Sequence, residues 1–63
     1  MKYYAIYVRF PRPRPFWIQI GAEHTKKPNM RSIIKSWHET FPSLEFKLVT
    51  YTKTILAEKE YLK

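Results

Sequence analysis

NMRSIIKSWHETF, residues 29–41, is the stretch that decides the fold. Met30, Ile33, Ile34, Trp37 and Phe41 fall at i, i+3, i+4, i+7 and i+11, which places them on one stripe of a helix. Asn29 stands where an N-cap belongs, because its side-chain oxygen can accept a backbone N–H that the first turn leaves without a partner. Pro42 and Ser43 stop the run, since the residue before a proline avoids helical geometry. The spacing therefore predicts a helix over about 30–41. A helix with a single apolar stripe must bury it, and the flanking segments show what against.

On the N-terminal side, residues 16–23, FWIQIGAE, alternate with period two. Phe16, Ile18, Ile20 and Ala22 are read as inward, and Trp17, Gln19, Gly21 and Glu23 as outward. Residues 3–10, YYAIYVRF, alternate too and are rich in aromatic and β-branched types. One face is Tyr4, Ile6, Val8 and Phe10; the other is Tyr3, Ala5, Tyr7 and Arg9. Between the two strands lies PRPRP, residues 11–15, whose three prolines lack the N–H a ladder needs. It reads as a stiff, polyproline-like hairpin connection. On the C-terminal side, residues 44–54, LEFKLVTYTKT, predict a third strand, with Leu44, Phe46 and Leu48 alternating against Glu45 and Lys47. Its phase is less clean after Leu48-Val49, a mark of a bulge or an edge. Residues 55–63, ILAEKEYLK, read as a short helical turn or a frayed end.

The expectation is a single small α+β domain covering residues 1–63, in the order β-β-α-β. Its three-stranded antiparallel sheet has order 2-1-3, with the crossover right-handed. The helix packs on the face made by Tyr4, Ile6, Val8, Phe10, Phe16, Ile18, Ile20, Leu44, Phe46 and Leu48. The other face has no helix.

Composition narrows the function. The chain has 63 residues, a formal charge of +7, no cysteine, no aspartate and one glycine. Disulfides, thiolate metal sites and cysteine nucleophiles are excluded. No apolar run is long enough to span a membrane as a helix. The Met1-Lys2 start runs directly into a strand pattern, so the expectation is a cytoplasmic chain without a targeting peptide. The charge is uneven. Lys2, Arg9, Arg12, Arg14, Lys26, Lys27, Arg31 and Lys35 precede Trp37 against Glu23 alone, whereas the remainder is balanced. Such an excess points to an anionic partner.

Three surfaces are candidates. The face without a helix carries Tyr3, Tyr7, Arg9, Trp17, Gln19 and Lys47, extended by Tyr51 and Lys53. With Pro13 at the centre of the hairpin, Arg9 lies opposite Trp17 as a cation–π pair, and Tyr7 opposite Gln19. Rings flanked by cations suit single-stranded nucleic acid, whose bases stack while its phosphates meet the charges. The proline loop holds Arg12 and Arg14 about 6 Å apart, at about 3.1 Å per residue, ready for phosphate or carboxylate. The helix flank adds Arg31, Lys35 and His38 beside Lys26 and Lys27.

Catalysis is not expected. His38-Glu39 begins like a zinc-protease H-E pair, but no second histidine follows at the required spacing. His24 and His38 alone fall short of a metal site, and no glycine-rich phosphate loop exists. The expectation is no catalytic residue, no metal and no cofactor.

The segments YYAIYVRF, FWIQIGAE, NMRSIIKSWHETF and LEFKLVTYTKT, which together cover most of the chain, resemble in their order the small phage-encoded host-takeover inhibitor proteins. The resemblance implies a non-catalytic protein that acts by occupying a surface of something larger. The family has an acidic character and this chain is basic, so the resemblance implies a different target. The expected function is thus a binding module for nucleic acid or a protein that handles it. The alternatives are an inhibitor or adaptor on an acidic surface of a host protein, and a homodimer formed through the open sheet face.

Overall fold

A computed structural model describes residues 1–13 and 15–62. Among these, the chain runs β1 (Tyr3–Arg9), β2 (Ile18–His24), α1 (Met30–His38), β3 (Glu45–Tyr51) and β4 (Ile55–Tyr61). The strands form one antiparallel sheet in the order β2-β1-β3-β4. The α+β class and the 2-1-3 core of the sheet agree with the sequence. The sheet has four strands rather than three, because the segment read as a helical turn or frayed end pairs with β3 as β4.

The fourth strand is hidden in the sequence for a physical reason. Ala, Leu, Glu and Lys are strong helix formers, and ILAEKEY is made largely of them. Its alternation is also broken, since Thr50 pairs with Ala57 but Tyr51 pairs with Ile55, which leaves Leu56 as an extra residue. Beyond the bulge the strand carries charge on both faces, the composition of an exposed edge.

The hairpin of β1 and β2 is centred on Pro13, with Val8 opposite Ile18 and Tyr7 opposite Gln19. Further along, Gly21, Ala22 and Glu23 together face the single residue Ala5, since Ile6 pairs with Ile20 and Tyr4 with His24. Gly21 turns this bulge at φ 69°, a left-handed conformation that a side chain disfavours. Ala22, read as inward, is exposed within it.

α1 begins where expected. Asn29 Oδ1 accepts the Ser32 N–H at 3.3 Å. It ends at His38, a turn earlier than the stripe suggested, where Thr40 and Phe41 both donate to the Trp37 carbonyl. His38 Nε2 donates to the Leu44 carbonyl at 2.7 Å, and the ring packs edge-on against Phe46. This histidine therefore ties the end of the helix to the start of β3 and leaves the basic flank to Arg31 and Lys35.

The core under the helix is Ile6, Val8, Met30, Leu44, Phe46 and Leu48, with Tyr4, Ile20, Ile33, Ile34 and Tyr61 packed around it. Phe10, Phe16, Ile18, Trp37 and Phe41, expected in the core, remain 42%, 55%, 53%, 38% and 39% exposed. Nine helical residues span about 14 Å, whereas seven strand residues span about 23 Å. The helix is too short to cover the proline-loop end of the hairpin. On the opposite face Ala5 and Val49, which pair with each other, are buried without a helix over them.

Candidate functional site

The face without a helix gathers four of the residues singled out from sequence. Arg9 Cζ lies 4.4 Å from the centre of the Trp17 ring. Lys47 Nζ lies 4.8 Å from the same ring and 5.5 Å from that of Tyr7. Both cations also meet acids. Arg9 donates through Nε to Glu45 Oε1 at 2.7 Å, across the directly paired strands. Lys47 Nζ lies 3.0 Å from Glu58 Oε1. Tyr3 packs against Tyr51, with ring centres 5.8 Å apart. The Tyr51 hydroxyl is pushed up to about 12, chiefly by its hydrogen bond to Glu23, with desolvation and the Glu23 charge adding to it.

This face is less basic than the first three strands suggested. Strand alternation and register put Glu23, Glu45, Glu58 and Glu60 on it, and within the strands only Arg9 and Lys47 oppose them. The two carboxylates that tip the balance, Glu58 and Glu60, come from β4. Within its strands the face is aromatic and net acidic, and the two cations they carry are already engaged by the chain's own acids and rings.

A second group of cations, without such partners among the described residues, lies around α1 and β4. Lys26 and Lys27 precede α1, Arg31 and Lys35 project from it, and Lys59 comes from β4. Lys59 pairs in register with Leu48, and Tyr61 with Phe46, so both point to the helix side of the sheet. Between α1 and β4 runs an open groove of about 550 Å³. Lys27, Arg31, Lys35 and Lys59 line it above Met30, Ile34 and Tyr61, and among the described residues no carboxylate takes part. Among the described residues the ion pairs are Arg9–Glu45 and Lys47–Glu58, so the four groove cations have no acidic partner. The first turn of α1 holds no acid either. Lys59 Nζ sits 5.1 Å from the centre of the Tyr61 ring.

A third feature is the proline-loop end of the hairpin. Phe10 meets Phe41 edge-on at 5.6 Å, and Phe41 stacks on Trp37 at 6.2 Å. A cavity of about 270 Å³ opens beside them, lined by Phe10, Pro13, Phe16, Ile18 and Leu44. Arg12 is exposed on the loop, and Arg14 lies outside the described residues.

Of the sequence-derived candidates, Tyr7, Arg9, Trp17 and Lys47 form one cluster, with Tyr3 joined to Tyr51 on the same face. Lys27, Arg31 and Lys35 line the groove on the opposite side, and Lys26 precedes them in the exposed loop. Lys59 and Tyr61 were missed. The alternation Glu58-Lys59-Glu60-Tyr61 was the available signal, since as a strand it sends the acids one way and Lys59 and Tyr61 the other. Among the described residues no helix is long and apolar enough to cross a membrane. Comparison with models of known families, with curated proteins and with solved structures found no match.

Proposed function

We propose that this chain is a small non-catalytic module that binds nucleic acid, with its helix side toward the phosphates. The observation that carries the reading is the separation of charge across the sheet. Lys27, Arg31, Lys35 and Lys59 lie on the helix side, with Lys26 in the loop before α1, and Glu39 at the end of α1 is the one glutamate outside the strands. Four glutamates lie on the opposite face. A molecule charged in this way is turned by a polyanion's field so that its basic side arrives first. Binding then releases counterions from the phosphates, which makes affinity salt-dependent and largely indifferent to base sequence.

The test is anisotropy of a labelled oligonucleotide between about 50 and 200 mM salt. Four phosphate contacts on a single strand give a log–log slope of about −3, at about −0.7 per phosphate. No binding at the low end of that range contradicts the reading.

A second reading is favoured by a different observation. The exposed rings of Phe10, Phe16, Trp37 and Phe41 beside the apolar cavity form the kind of patch that marks a protein contact. With Arg9 and Arg12 at its rim, the partner in this reading is an acidic surface of a larger protein. Retention of such a partner after nuclease treatment, and its loss on Phe16→Ser, distinguishes this reading from the first. A homodimer through the open sheet face is disfavoured, because it would bring two net-acidic faces together.

A further inference from the structure

We infer that the groove between α1 and β4 seats the phosphodiester backbone of a single nucleic-acid strand, with Lys59 and Tyr61 as part of its wall. The inference rests on the nucleic-acid reading and assigns it a site that the sequence had placed on the other face of the sheet.

Three features point to a strand of phosphates. First, the four groove cations come from three separate segments: Lys27 from the loop, Arg31 and Lys35 from α1, and Lys59 from β4. Folding brings these like charges together without an acid among the described residues of the groove, although four glutamates are available to the strands. Such an arrangement is unfavourable in the free protein and is relieved by a bound anion. Second, the cations are spread along a trough. Arg31 and Lys35 stand one turn apart, about 6 Å along the helix axis, which is the scale of the step between neighbouring phosphates in an extended strand. Third, the floor is apolar and includes the half-buried Tyr61 ring. A sugar or base can pack there while the phosphates meet the charges.

The shape selects one strand over two. α1 turns its apolar stripe to the sheet, and the cations line the flank facing β4. A helix that reads duplex DNA enters the major groove with an outward side. Here the charged surface is the wall of a concavity, which admits one backbone and holds a duplex at its rim.

The experiment measures anisotropy of a fluorescein-labelled oligothymidylate against salt for the full chain and its variants. Lys59→Gln and Lys35→Gln are each expected to weaken binding roughly three- to tenfold and to reduce the salt slope by about 0.7, one phosphate contact each. Lys59→Arg is expected to restore the slope. Lys53→Gln, in the exposed β3–β4 turn, removes the same charge and serves as the matched control, with its slope unchanged. All three sites are exposed, and far-ultraviolet circular dichroism verifies folding. If the parent chain does not bind, the nucleic-acid reading and the groove assignment fall together. If it binds but the loss follows Trp17→Ala or Lys47→Gln instead of the groove variants, the assignment alone is overturned. Equal or tighter binding of a duplex overturns the single-strand part. Competition by polyglutamate as strong as by the oligonucleotide overturns the assignment in favour of an acidic protein segment.

Discussion

The two faces of the sheet use the same residue types to opposite ends. On the open face Lys47 lies over Tyr7 and Trp17 and pairs with Glu58, while Arg9 covers Trp17 and bonds to Glu45. On the helix side Lys59 lies over Tyr61, but among the described residues it shares its groove with three more cations and no acid. The open-face cations are satisfied by the molecule itself. Each ion pair there is worth on the order of 1 kcal/mol and each cation–π contact about 0.5–1 kcal/mol, so that face contributes to stability. The groove has no ion pair among the described residues, and its charges remain available to something else. Proximity of aromatic and basic residues is therefore a poor guide to a binding surface until the acids have been placed.

The largest expected effect removes the layer that separates the two faces. Phe46 is fully buried between β3 and α1, and Phe46→Ala should cost about 3–5 kcal/mol, read as a fall in the urea midpoint or outright unfolding. Next comes the centre of the open face. Trp17→Ala deletes the ring that Arg9 and Lys47 share and should cost about 1–2 kcal/mol in urea melts, with the oligonucleotide salt slope intact. A loss of binding without a loss of stability would reverse the roles assigned to the two faces.

The fold was legible in the sequence wherever one face of an element is buried. The stripe Met30-Ile33-Ile34, the alternation of β1 and β2, and the symmetry of the proline loop about Pro13 yielded the helix, the hairpin register and the Arg9–Trp17 contact. The edge strand was not legible, because β4 has charge on both sides and a bulge at Leu56. Helix length was misjudged at Phe41, whose spacing fits the stripe although the chain has already left the helix. The candidate site depended on that missing strand. Counted along the chain, the second half looks neutral. Folded, it sends Glu58 and Glu60 to the open face and Lys59 to the groove. The charge that matters is partitioned by sheet face, and chain halves do not show it.

Smaller effects sharpen the comparison. Tyr51 holds its proton up to about pH 12, against 10.0 for the free side chain, so the neutral form is favoured in the folded state. Its contribution should be fully present below pH 10.0 and be lost as pH rises toward about 12. Ultraviolet titration should show this late tyrosine, and Glu23→Gln should return it toward the ordinary value. The smallest effect carries opposite signs on the two faces. Lys47→Gln breaks an ion pair and two cation–π contacts that share one ammonium and so do not add, and it should destabilise the chain by about 0.5–1 kcal/mol. Lys59→Gln relieves repulsion among unpaired cations and should be neutral or stabilising by a few tenths of a kcal/mol, with both effects read from matched thermal melts.

The most direct test of the central claim, that the unpaired cations of the groove between α1 and β4 receive phosphates, is an amide and side-chain chemical-shift map during titration with an oligothymidylate at low salt. The account predicts the largest changes at Lys27, Arg31, Lys35, Lys59 and Tyr61, with Tyr7, Arg9, Trp17 and Lys47 nearly still. Changes centred on Tyr7 and Trp17, with the groove silent, would contradict it.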